Sequence, residues 1–211
     1  MMHSSACMSP LAAVHYERGD DIDQFLVTAC KRLAASGVRL GGLLQVSRGE
    51  RGGNCAASVH VVDLRTGRTF DIWQDRGACA RGCRLDEGGL AQSEIAIRQA
   101  IADRVDLLVI NRFGRAESLG RGLRECFEAA LLAGIPALTA VRPPYDVAWA
   151  AFHGGLATDL TCNFAEVLTW ASRLHAGSAR ELRRNDIQRS FDGFPTTRRP
   201  SASIRSVPSS L

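Results

Sequence analysis

The chain holds 211 residues, 45% of them hydrophobic and 23% charged, the proportions of a globular protein with one sizeable core. No apolar run reaches membrane-spanning length, and Met1–Pro10 shows no basic segment followed by an apolar stretch, so neither membrane insertion nor a secretory leader is expected and the cytoplasm is the expected compartment. The whole formal charge of +4 resides in residues 180–211, which carry seven arginines against three acids; the body is formally neutral, which argues against a nucleic-acid surface.

Leu11–Tyr16 is a short apolar run, followed by Gly19 and the acids Asp20, Asp21 and Asp23. Apolar residues then recur at helical spacing (Ile22, Phe25, Leu26, Ala29, Leu33) up to Gly37, which predicts strand, turn and helix with Asp20 or Asp21 as N-cap. Val38–Val46 reads as the next buried strand and Ser47–Asn54 as a Gly/Arg loop. Ala57–Leu64 and Arg68–Trp73 alternate in polarity around Arg65-Thr66-Gly67, a hairpin signal. Gly88–Asp103 reads as a helix and Val105–Ile110 as a strand buried on both faces. Leu119–Ala133 is amphipathic at helical spacing and ends at Gly134, Ile135–Val141 is a further core strand, and Pro143-Pro144 breaks the chain before a short helix at Val147–Phe152. Phe164–His175 is the last expected helix.

This order predicts an α/β protein of three layers: a mostly parallel sheet covered on both faces, with a β-hairpin insertion. The expected divisions are a disordered N-terminus at 1–10, a domain at 11–176 and an Arg/Ser/Pro-rich disordered tail at 177–211. In such sheets ligands sit beyond the carboxyl ends of the strands, which directs attention to Glu17–Asp21, Gln45–Asn54, Asn111–Gly122 and Arg142–Tyr145.

A phosphate-cradling loop needs glycines, a lysine and a hydroxyl between its strand and its helix. Here that position reads His15-Tyr16-Glu17-Arg18-Gly19-Asp20-Asp21-Ile22-Asp23. It offers one glycine, no lysine and no Ser or Thr. Its carboxylates would themselves satisfy the positive helix end, for about 0.3–1 kcal/mol each, and would repel a triphosphate.

Gly41-Gly42-Leu43-Leu44-Gln45, Gly82-Cys83-Arg84-Leu85-Asp86, Asn111-Arg112-Phe113-Gly114-Arg115-Ala116-Glu117, Gly134-Ile135-Pro136-Ala137-Leu138-Thr139 and Ala148-Trp149-Ala150-Ala151-Phe152-His153-Gly154-Gly155 follow one another in the chain. Over roughly Leu11 to Leu174 this series resembles a family of bacterial proteins of unknown function, often encoded beside molybdate ABC-transport genes. More distantly the chain is similar to thermophilic-type nucleoside triphosphatases. That resemblance implies a P-loop-NTPase-like (Rossmann-like) fold and aligns Asn111–Glu117 with a strand-end motif, Asp-Glu-x-Gly-x-x-Glu, whose first two acids position magnesium and water. Asn111 and Arg112 stand in their places; Gly114 and Glu117 match. The resemblance therefore implies a kept scaffold with degenerate Walker motifs, and no catalytic residues are assigned.

Guanidinium groups hold oxyanions through paired N–H donors. Asn111, Arg112, Gly114, Arg115 and Glu117, with Gln45, form the candidate ligand-binding set, for molybdate, another oxyanion, a phosphate or an acidic partner segment. The alternative is that the arginines, Arg121 and Arg124 included, are solvated or paired with Glu117, Glu125 and Glu128 at helical spacing. Arginine supplies 25 of the 26 basic residues, Lys31 being the sole lysine, a bias that lowers the information in each one. Gly82 to Asp86 is expected to be a structural motif. Cys79 and Cys83, with three residues between them, lack the partners of a zinc site and the spacing of a redox pair; seven cysteines overall fit a reducing compartment, and no metal site is assigned. His153, Trp149 and Phe152 read as capping and core residues. The resulting expectation is a non-catalytic binding or regulatory protein accessory to molybdenum transport or cofactor supply, with partners in those systems. The alternatives are a divergent nucleoside triphosphatase or phosphotransferase and a protein–protein adaptor.

Overall fold

Strands β1 (Leu11–His15), β7 (Leu107–Ile110) and β8 (Ala137–Val141) are short apolar runs, buried almost throughout on both faces, as strands at the middle of a parallel sheet must be. They belong to a computed structural model that describes residues 9–48, 58–71, 73–74, 84–85 and 87–174. The remaining strands are β2 (Leu40–Arg48), β3 (Ser58–Asp63), β4 (Thr69–Asp71), β5 (Trp73–Gln74), β6 (Arg84–Leu85) and β9 (Ala157–Leu160). The helices are α1 (Ile22–Ala35), α2 (Glu87–Ala102), α3 (Arg115–Ser118), α4 (Arg124–Leu132), α5 (Asp146–His153) and α6, residues 164–174. The chain divides into Met1–Ala176 and Gly177–Leu211. The disorder expected at the two termini falls outside the described residues, apart from Ser9 and Pro10.

Seven strands form one sheet in the order β4-β3-β2-β7-β8-β1-β9. The pairs from β2 through β9 are parallel, while β3 and β4 extend the far edge antiparallel. This is the expected α/β architecture, with β7 in the central position. Alternation along each strand divides the core. Leu11, Ala13, Leu108, Ile110, Ala137 and Val141 face a layer that includes Ile97, Phe127 and Trp149, from α2, α4 and α5. Ala12, Val14, Leu107, Val109, Leu138 and Ala140 face Leu26, Leu33, Val167 and Trp170, from α1 and α6. The period of two puts successive side chains on opposite faces, so three layers follow directly.

The hairpin across Arg65-Thr66-Gly67 is built around Asp63, which is 3% exposed; its carboxylate accepts from Arg65 N at 3.0 Å and Thr66 Oγ1 at 2.6 Å. Thr161 donates its backbone N–H and its hydroxyl to Glu166, each at 2.9 Å, at the start of α6, and these bonds hold the Glu166 carboxyl below its ordinary range.

Three expectations need correction. The helix expected at Leu119–Ala133 begins only at Arg124, because Gly120 and Gly122 adopt φ of +76° and +64°, and the turn of α3 lies ahead of them. β2 runs on to Arg48, into the segment read as a loop. β9 was not foreseen: its sequence, Ala-Thr-Asp-Leu, carries little apolar signal, and it gains its place by pairing with β1 at the sheet edge.

Candidate functional site

At the carboxyl end of β1 the chain turns through Tyr16, whose N–H donates to Val141 O at 3.2 Å. The acids that follow are committed locally. Asp20 accepts from Glu17 N at 2.8 Å, and Asp21 is the N-cap of α1, accepting from Gln24 N at 3.2 Å. Asp23, in the first helical turn, does something else. Its Oδ1 accepts from Asn111 Nδ2 at 2.9 Å and from Arg112 Nη2 at 2.6 Å, and its Oδ2 accepts from Gln45 Nε2 at 3.0 Å. One carboxylate therefore ties α1 to β2 and to the end of β7. Arg112 is further held by Nη1 donating to the Tyr16 hydroxyl at 2.9 Å.

The segment after β7 is fixed from beneath. Thr139, fully buried, donates its hydroxyl to Ile110 O at 2.6 Å and accepts from Phe113 N at 3.1 Å. Phe113 packs among Trp149, Phe152 and Phe127 with ring centroids 5.1, 5.7 and 6.3 Å away. The Asn111–Arg112 peptide is cis. Glu117, 8% exposed, accepts from Gly114 N at 3.0 Å through Oε2 and from Leu123 N at 3.1 Å through Oε1. Its carboxylate thus closes the loop on itself. A Cβ at Gly122 would stand 2.3 Å from Glu117 Oε1, so the close approach requires glycine there.

A cavity of about 350 Å³ lies above this segment, bounded by β2, β3, α2 and the Arg142–Tyr145 turn. Gln45, Asn111, Arg112, Gly114, Arg115 and Glu117 all line it; the structure brings the six candidate residues to one place. Arg84 and Leu85 form β6, while Gly82, Cys83, Asp86 and Cys79 lie outside the described residues. No residue of the Glu17–Asp21 loop lines the cavity. Tyr16, just ahead of that loop, does line it, and Arg112 donates both to the Tyr16 hydroxyl and to Asp23.

Two buried polar atoms here have no hydrogen-bond partner among the described residues: Asn111 Oδ1 and Arg112 Nε. The arginines do not form one set of helix-spaced pairs. Arg124 lies 3.9 Å from Glu128 and sits over the Phe152 ring, Glu125 is 3.9 Å from Arg98, and Arg112 pairs with Asp23. Arg115 is exposed with no side-chain partner among the described residues. His153 Nδ1 accepts from Gly155 N at 3.1 Å and Ala157 N at 3.2 Å, a capping arrangement. Asp23, Tyr16, Arg142 and the apolar walls were not among the sequence candidates. Asp23 carried a signal only as one of several acids at a helix start. Among the described residues, no group of three or more His, Cys, Asp or Glu side chains is placed to hold a metal, and no helix is long and apolar enough to cross a membrane.

A family described as "Protein of unknown function (DUF2478)" matches residues 11–170. The chain belongs to this family. A relative of the DUF2478 chain, the "Molybdenum import ATP-binding protein ModC 2" of Bradyrhizobium diazoefficiens, is 41% identical over 160 residues, which are 76% of this chain and 18% of the relative. The DUF2478 chain thus spans only a small part of that longer protein. A human cancer-related nucleoside triphosphatase, solved in solution, superposes with a TM-score of 0.52 at 16% identity, covering 79% of this chain and 96% of the other. The DUF2478 fold is accordingly that of a P-loop-NTPase-like α/β protein.

Proposed function

We propose that this domain binds an anion at the cavity above β7 without hydrolysing a nucleotide, and that it serves molybdenum or related oxyanion transport, or cofactor supply, as a cytoplasmic regulatory accessory. The observation that carries the reading is the Arg112–Asp23 pair at 2.6 Å. It commits Arg112 to an acid in the first turn of α1, beside the helix N-terminus at which a nucleotide-binding protein of this fold would seat phosphates. No lysine stands between β1 and α1, and Asn111 and Arg112 occupy the positions at which the resemblance expects magnesium-positioning acids, so a metal–phosphate pair would find neither of its usual anchors. On this reading the Walker motifs are degenerate. Arg115 and Arg142, both at the cavity, supply the N–H donors an oxyanion needs. The printed name of the longer relative supports the molybdenum connection, and its transport machinery supplies the expected partners.

Calorimetry of the full chain against molybdate, tungstate, phosphate and small phosphorylated or carboxylated metabolites, run beside a phosphate-release assay, tests the proposal. The expected result is magnesium-independent anion binding, weakened in Arg115→Ala, with no phosphate release from ATP. Binding confined to nucleotide plus magnesium, with phosphate released, would contradict it.

The fold shared with a nucleoside triphosphatase favours one competing reading, a divergent phosphohydrolase. That reading requires magnesium-dependent turnover that falls about tenfold or more, roughly 1.4 kcal/mol of barrier, in Arg112→Ala or Glu117→Ala.

A further inference from the structure

The anion reading leaves open which kind of anion fits, and two features of the cavity narrow it. The first is Asn111, 6% exposed. Its Nδ2 donates to Asp23, which sets the orientation of the amide, and its Oδ1 is shut away from solvent, so Asn111 offers an incoming anion no free N–H. Molybdate, whose oxygens accept on every side, would find side-chain donors only at the arginine end of the cavity. The second feature is the wall. Leu43, Val61, Leu90 and Leu123 line the cavity beside the rings of Tyr16 and Tyr145, and a small hydrated dianion would leave that surface uncovered, whereas apolar walls with a few placed polar groups suit an organic ligand. The positive charge is also placed for one end of such a molecule. Arg115 has no side-chain partner among the described residues, and Arg142 bonds the Pro143 carbonyl at 3.0 Å with its guanidinium 5.9 Å from the Tyr145 ring centroid.

We infer that the cavity takes a small organic anion: a ring or other apolar body lying against the leucine and tyrosine walls, and a carboxylate or phosphate held by Arg115 and Arg142. This inference rests on the anion-binding reading and specifies its ligand class.

Calorimetry of the full chain with orotate, guanosine 5′-monophosphate, guanosine, inorganic phosphate and molybdate separates the requirements. Orotate and guanosine 5′-monophosphate each join a ring to an anion, guanosine lacks the anion, and phosphate and molybdate lack the ring. At least one ring-bearing anion is expected to bind about tenfold or more tighter than guanosine, phosphate or molybdate. Arg115→Ala should weaken that binding about tenfold, and Leu90→Trp, which fills the apolar wall, should abolish it. Thermal melts check that both variants fold. Phosphate or molybdate binding as tightly as either ring anion, or ring-anion binding undiminished in a folded Leu90→Trp, would overturn this inference while the anion reading stood. Binding of no probe would overturn both.

Discussion

Arg112 Nη2 and Asp23 Oδ1 meet at 2.6 Å across 89 positions of sequence, with side chains 27% and 19% exposed. The pair joins the start of the first helix to the end of the central strand. Because Asn111 and Gln45 donate to the same carboxylate, Asp23 is the shared acceptor for three side chains, one within β2 and two just past β7.

Asp23→Ala should therefore be costly. It leaves three part-buried donors without their acceptor, and a loss of about 2–3 kcal/mol is expected in urea unfolding. Asp21→Ala removes only a helix cap and should cost about 1 kcal/mol. Equal, small losses in the two variants would show that Asp23 is just another acid at a helix end.

Backbone packing gives a second, sharper contrast between two glycines. A Cβ at Gly42, where φ is +99°, would stand 2.0 Å from Val109 O in the neighbouring strand, whereas Gly37, at φ +86°, has nothing within 4 Å. Gly42→Ala should lower stability by about 3 kcal/mol or more, since β2 must move off β7. Gly37→Ala should lose about 1 kcal/mol from backbone conformation alone. Thermal or urea unfolding of the two variants checks the difference.

These residues also mark what was legible in the sequence. The apolar runs Leu107–Ile110 and Ala137–Val141 announced the central strands because burial on both faces leaves no other composition open to them. β9 was not legible, since Ala157–Leu160 owes its place to pairing with β1 and not to its own hydrophobicity. The amphipathic pattern from Leu119 suggested a longer helix than forms, because periodicity does not register the positive φ of Gly120 and Gly122. The site residues after β7 were suggested by motif order, yet Asp23 was hidden: its three partners lie 22, 88 and 89 positions away, and local spacing cannot express such contacts.

Glu117 should act as the clasp of the loop that carries Arg115. Glu117→Ala deprives the Gly114 and Leu123 amides of their acceptor and should cost about 2 kcal/mol. Glu117→Gln keeps one carbonyl oxygen and should cost roughly half as much. Amide hydrogen exchange should quicken at Gly114 and Leu123 in the alanine variant, while the amides of β8 remain protected.

Burial pushes the Cys30 and Cys126 thiols up to about 12, against about 8.5 for an unfolded cysteine. Between those values the unfolded chain loses a proton that the folded chain keeps, so stability falls as pH rises, by about 1.4 kcal/mol per pH unit for each thiol. Below the unfolded value neither thiol contributes any slope. Cys30→Ala should remove one such increment from the alkaline limb, measured by urea unfolding from pH 8 to 11. An unchanged slope would contradict the burial argument.

The central claim is that the acidic start of α1, with Asp23 held by Arg112, takes no magnesium nucleotide. Calorimetric titration of the full chain with magnesium–ATP tests it most directly. The account predicts no saturable heat at millimolar nucleotide beyond what the proposed anion binding at the cavity would supply without magnesium. A magnesium-dependent ATP complex that survives Arg115→Ala and is lost when bulk is placed at Gly19 would contradict it.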